Sequence, residues 1–152
     1  MKGSGSVIAY YNRGIMLLNS AILSGIALLF TRIALAGIFW RSARTKIEDG
    51  TLLSISDTTT LLFSEEYGMP YPEITGHIAA YAEHVFPLLL VIGLGTRFAA
   101  SGLLVMTLVI QFFVYPEAWW SVHILWVAMA LVLVTHGAGI FSLDRLLAGR
   151  MR

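Results

Sequence analysis

The sequence predicts an all-α, polytopic membrane protein: a four-transmembrane-helix bundle with a long outer loop between helices 1 and 2. Three observations predict it. Of 152 residues, 57% are hydrophobic and only 12% are charged, against roughly 25% charge in a soluble domain. The apolar residues gather into four segments, each near the ~20 residues that cross a ~30 Å hydrocarbon core. Only one connection is both long and polar. Backbone groups in hydrocarbon must be satisfied within their own segment, so the spans are helices and not strands. The length fits one domain, residues 1–152.

Taken in order, the first helix is expected over about Ile15 to Trp40, interrupted by a single charge, Arg32. Residues 1–13 carry no small-residue cleavage site, so this run reads as a retained helix. Residues 41–73 form the long loop, within which Asp57 is placed to cap a short amphipathic stretch, Thr58 to Tyr67. Gly68-Met69-Pro70-Tyr71-Pro72 then turns the chain back. The second helix is expected over 74–94, with His77, Glu83 and His84 inside it and a kink at Pro87. The third, 98–115, is free of charge, and the fourth, 122–141, holds only His123 and His136 as titratable groups. Tyr115 and Trp120 read as an interfacial belt. Small pairs such as Ala21/Gly25 and Gly76/Ala80 read as helix-packing surfaces.

Several functions are excluded at this level. A net charge of +1 offers no basic stripe for nucleic acid. With no cysteine there are no disulfides, thiol exchange, cysteine-ligated clusters or c-type haem. Orientation follows from basic residues: Lys2, Arg13, Arg97, Arg145, Arg150 and Arg152 share one side, against Arg41, Arg44 and Lys46 on the other. The richer side is expected to be cytoplasmic, with both termini there. Arg145, Arg150 and Arg152 suit anionic lipid.

A charge in hydrocarbon needs a partner or a watery cavity. Counting about 1.5 Å per residue from the outer helix ends places Arg32 roughly 12 Å deep and Glu83 roughly 13 Å deep. A structural Arg32–Glu83 ion pair is therefore expected, either fixing register or serving a ligand. His77, Tyr81 and His84 lie at i, i+4, i+7 on one helix face. With His123 and Trp126 they are expected to line an outer-leaflet pocket, floored by Glu83 and Arg32. No metal motif occurs, since His-Glu-x-x-His spacing is absent. Bis-histidine haem is disfavoured, because intramembrane histidines more often bond across helices. A quinone-like ligand fits better: histidine, tyrosine and a carboxylate supply hydrogen bonds and a proton path.

Two segments also resemble the DoxX family. The first is Thr31-Arg32-Ile33-Ala34-Leu35-Ala36-Gly37-Ile38-Phe39, followed by Lys46-Ile47. The second is Ala82-Glu83-His84 with Leu88 to Gly93-Leu94-Gly95-Thr96-Arg97. The resemblance covers about residues 30–115. It implies a bacterial inner-membrane protein of four helices, similar to small membrane subunits linked to thiosulfate oxidation with quinone as acceptor and to redox-stress complexes. Arg32, Lys46, Glu83 and Arg97 are the positions that carry over; His77, His84, His123 and the acidic outer loop depart from the pattern.

Two functions follow as expectations. One is a membrane subunit of a redox system, a quinone-linked oxidoreductase subunit working with a periplasmic or membrane redox partner. The alternative is a non-enzymatic scaffold or small-solute carrier that recruits a partner through the acidic loop. The lipid bilayer is a partner in either case, and oligomerisation is compatible with both.

Overall fold

Four helices in the computed structural model are long and apolar enough to cross a membrane, and where each starts and stops decides which polar side chains meet. The structure describes residues 11–12, 15–16, 20–52 and 54–150. Helix α1 spans Ala21–Arg44. The Ser20 hydroxyl accepts a hydrogen bond from the Leu23 N–H at 3.3 Å, satisfying one of the orphan donors of a helix start. The expected start near Ile15 adjoins residues outside those described, and Lys2, Arg13 and Arg152 lie outside them altogether. At its other end α1 runs past Trp40 to Arg44, with Arg41 and Arg44 in the last turn, where cations complement the helix dipole.

The loop that follows is partly folded. Ile47 and Ile55 form an isolated antiparallel bridge, the only strand-like pairing among the described residues. Helix α2, Asp57–Leu61, is capped by Ser56, whose hydroxyl accepts from Thr59 N–H at 3.3 Å. The cap thus falls one residue before the expected Asp57, which instead sits in the first turn, favourable for a negative charge. A π turn, Leu62–Glu66, buries Phe63. Gly68, at φ +56°, then reverses the chain as only glycine does easily.

Helix α3, Pro72–Ile92, opens on a proline at its first position and continues through Pro87. Gly93, Leu94 and Gly95 make the turn into α4, Thr96–Phe113. The fourth span, Pro116–His136, starts as a 3-10 turn, passes through a π turn at Trp119–His123 and becomes α5, Ile124–His136. It stops short of the expected Phe141 because Gly137 adopts φ +76°. A short helix α6, Leu143–Arg150, ends the described chain.

Leu35, Phe39, Leu90, Leu103 and Leu133 meet in the core, separated by Ala36, Ala99, Ala100 and Ala130. Those alanines let the backbones approach. Outward-facing positions are apolar as well: Phe30 is 67% exposed and Trp120 80%. A bundle whose outside is as hydrophobic as its inside has lipid for solvent. One end carries the 93–95 and 137–142 turns and is called the turn end; the other carries residues 45–71 and 114–118 and is called the loop end.

Helices α1 and α3 are antiparallel and staggered. Arg32 touches Leu90, whereas Lys46, just past the end of α1, reaches Glu83 in mid-α3. The middle of α1 therefore lies level with the end of α3, an offset of about nine residues or roughly 13 Å. The first turns of α3 project beyond α1 at the loop end. This stagger positions every polar group described next.

Candidate functional site

Arg32 and Glu83 do not pair. Equal depths would follow if α1 and α3 ended level, and they do not: Glu83 and Leu90 are seven residues apart, roughly 10 Å along the helix. Arg32, fully buried, donates through Nη1 to the Leu90 carbonyl at 3.2 Å and through Nη2 to the Phe141 carbonyl. Leu90 is in the last turn of α3, where its carbonyl otherwise accepts only from the Gly93 N–H, at 3.2 Å. Around this contact the turn end is tightly knotted. Asp144 accepts from the Gly95 and Thr96 N–H groups at 2.7 and 3.0 Å, capping α4, and its own N–H donates to the Gly93 carbonyl at 2.9 Å. Arg97 donates to the Thr135 carbonyl at 3.1 Å, in the last turn of α5. At Gly93 a Cβ would lie 2.1 Å from Arg32 Nη1 and 2.5 Å from Ser142 Cβ. The two family-pattern arginines thus hold helix ends together.

Glu83 takes Lys46 as its partner instead, Nζ to Oε2 at 2.8 Å. Lys46 also donates to Ser42 Oγ at 2.9 Å and to the Ser42 carbonyl at 3.4 Å, and the Ser42 hydroxyl lies close to the Glu83 carboxylate. The loop lysine reaches this depth because it bends back over the last turn of α1.

This pair lines a cavity of about 640 Å³ enclosed by α1, α3, α4 and the fourth span. Phe63, Tyr67 and Met69 from the loop cover its loop end, and Phe39, Phe86, Met106 and Ile110 form apolar walls. Ile78 and Val105, 63% and 59% exposed, also line it, so its rim between α3 and α4 meets lipid. At Gly102 a Cβ would lie 2.4 Å from the Phe86 ring, so the glycine is what lets that ring lie against α4. A volume of a few hundred Å³ with apolar walls and few polar groups is the usual form of a small-molecule site.

His123 enters the cavity from the fourth span. Gln111 Nε2 donates to the Pro116 carbonyl at 2.7 Å, which turns its Oε1 toward His123 Nδ1, also at 2.7 Å. An amide oxygen only accepts, so His123 carries a proton on Nδ1. Trp126 packs against it, ring centroids 5.1 Å apart, and against Phe39 at 5.5 Å. At the loop end the Tyr115 hydroxyl donates to Glu66 at 2.9 Å and lies 3.4 Å from the Tyr67 hydroxyl. These bonds, that to Tyr67 first, together with burial, push the Tyr115 phenol above its ordinary pKa.

Of the residues expected to share a pocket, Glu83, His123 and Trp126 do line the cavity, while His77, Tyr81, His84 and Arg32 are not in its lining. The i, i+4, i+7 face of α3 points elsewhere. His77 lies against Tyr81, ring centroids 5.8 Å apart, and donates to the Glu73 carbonyl. His84 is buried beside Trp40, centroids 5.1 Å apart, and donates to the Ala80 carbonyl at 2.6 Å. Among the described residues no group of three or more histidine and acidic side chains could hold a metal ion. Ser42, Gln111 and Tyr67 were not anticipated. Gln111 carried a signal nonetheless, as the only glutamine in the chain and a polar side chain within a charge-free span.

The sequence pattern of the DoxX family matches residues 27–116. An uncharacterized protein of Haemophilus influenzae is 30% identical over 132 residues, covering 82% of this chain and 85% of that protein. No solved structure matches.

Proposed function

The chain belongs to the DoxX family, and on that footing we propose that it is an inner-membrane subunit of a redox system that binds a quinone-like ligand. The observation that carries this is the cavity: apolar walls reaching a lipid-facing rim, with the Lys46–Glu83 pair and His123 inside. A lipid-soluble quinone partitions in the bilayer and can enter between α3 and α4. Its ring lies against Trp126 and Phe39, its oxygens near Glu83 and His123, and its tail along Val105 and Ile78. Two-electron reduction of a quinone takes up two protons, and a buried carboxylate joined to a lysine at the loop end is a means of supplying them. The electrons come from a redox partner protein docking outside the bilayer. The termini are assigned to the cytoplasm, which places the loop end, with Glu48, Asp49, Glu65 and Glu66, on the periplasmic side.

Extraction of the purified protein followed by mass spectrometry tests this reading. A quinone recovered near one per chain, and lost from a Lys46→Met/Glu83→Leu variant, is the expected result. Recovery of phospholipid alone, together with no binding of added decylbenzoquinone, overturns it.

A further inference from the structure

The cavity's hydrogen-bonding groups are unequal in kind. Lys46 has three donors, and all three are spent on Glu83 and Ser42. The Ser42 hydroxyl accepts from Lys46 and lies close to the Glu83 carboxylate. Tyr115 donates to Glu66, so the close Tyr67–Tyr115 contact has Tyr67 as donor. Gln111 donates to Pro116, and His123 Nδ1–H to Gln111. What these bonds leave over is acceptor capacity: lone pairs on Glu83, and Nε2 of His123. Among the described side chains of the lining, the Trp126 indole N–H is the one strong donor without a partner.

We infer that the cavity selects the hydrogen-bond-donating form of its ligand, a hydroquinone or other dihydroxy aromatic amphiphile, over the quinone. The inference rests on the quinone-site reading above. A quinone brings only carbonyl acceptors: the Trp126 N–H can serve one of them, and the other meets the Glu83 carboxylate and the His123 lone pair with nothing to share. A hydroquinone of the same shape brings two O–H donors, one for each. Burying acceptors against acceptors loses the hydration of both, whereas each O–H to a charged or imidazole acceptor replaces it. The Gln111–Pro116 contact makes this a built preference, because it fixes which His123 nitrogen carries the proton.

The test is binding of three decyl probes of one shape to the full chain in nanodiscs: the benzoquinone, its hydroquinone under reducing conditions, and the hydroquinone dimethyl ether. The hydroquinone is expected to bind at least about tenfold tighter than the other two, the order of one good hydrogen bond. In His123→Phe, which keeps the ring's bulk and removes its acceptor, that ratio should fall severalfold, with Glu83 left as the remaining acceptor, while ether binding stays. Equal affinity for hydroquinone and ether, or tighter quinone binding, overturns the preference and leaves the quinone site standing. Failure of all three probes to bind overturns both. The wild-type comparison needs no variant, so a misfolded His123→Phe does not shelter the inference.

Discussion

The two charged clusters of this bundle each tie α1 to α3 and do opposite things with their hydrogen bonds. At the turn end, Arg32 spends its guanidinium on the Leu90 and Phe141 carbonyls, while Asp144 spends its carboxylate on the Gly95 and Thr96 amides. These charges serve the backbone, satisfying helix ends that hydrocarbon would otherwise leave bare. In the cavity, Lys46 and Glu83 serve each other, and the carboxylate keeps spare acceptor capacity toward open space. An intramembrane charge whose partners are carbonyls at a chain reversal is a fastener. One whose partner is another side chain, at the wall of a cavity, is available to a ligand.

Perturbations should separate the two. Arg32→Met removes two charged hydrogen bonds, to the Leu90 and Phe141 carbonyls, and is expected to cost the most, about 3 kcal/mol, a hydrogen bond to a charged group contributing about 1.5–3. Thermal unfolding in detergent and the yield of monodisperse protein read it. Arg32→Lys should rescue little, because one ammonium cannot reproduce the fork. Gly93→Ala attacks the same knot from the other side. Its φ is +70° and its new methyl meets Arg32 and Ser142, so a loss of roughly 2 kcal/mol is expected. Glu83→Gln should cost about 2 kcal/mol of stability, since Lys46 loses its counter-charge although the amide still accepts from it, and it should lower hydroquinone affinity measurably. If Glu83→Gln unfolds the protein as thoroughly as Arg32→Met, the division of labour fails.

The smallest effect is at the loop end. The Tyr115 phenol is raised, by its contact with Tyr67 first, then burial and the Glu66 carboxylate. The neutral form is the one favoured, so its contribution is intact below the ordinary tyrosine pKa of about 10 and is lost only as pH rises through the higher folded value. Ultraviolet titration should show Tyr115→Phe losing a late-titrating phenol, with melting at neutral pH nearly unchanged. A phenol lost from the ordinary tyrosine range would contradict this.

Much of the fold was legible because hydrocarbon permits few structures. The four spans were readable from apolar runs, and the turn at Gly95–Arg97 from its glycine and charge. The offset between α1 and α3 was not, because hydropathy gives a helix's length but not its height relative to a neighbour. That single unknown misassigned Glu83 to Arg32 when Lys46 was its partner. It also placed His77 and His84 in the pocket, since a face can be read from spacing but not which neighbour it meets. His123 and Trp126 were found by being one turn apart on a span otherwise free of polar side chains in that stretch. Gln111, which orients His123, needed the structure to bring the ends of two spans together.

The most direct test measures melting temperature and decyl-hydroquinone affinity on one preparation of Lys46→Met/Glu83→Leu. Replacing both partners of a buried pair with apolar residues is often near neutral for stability. A melting temperature close to wild type with binding lost is the predicted result. Binding retained at wild-type affinity, in a variant that still folds, would contradict the assignment of this pair to the ligand.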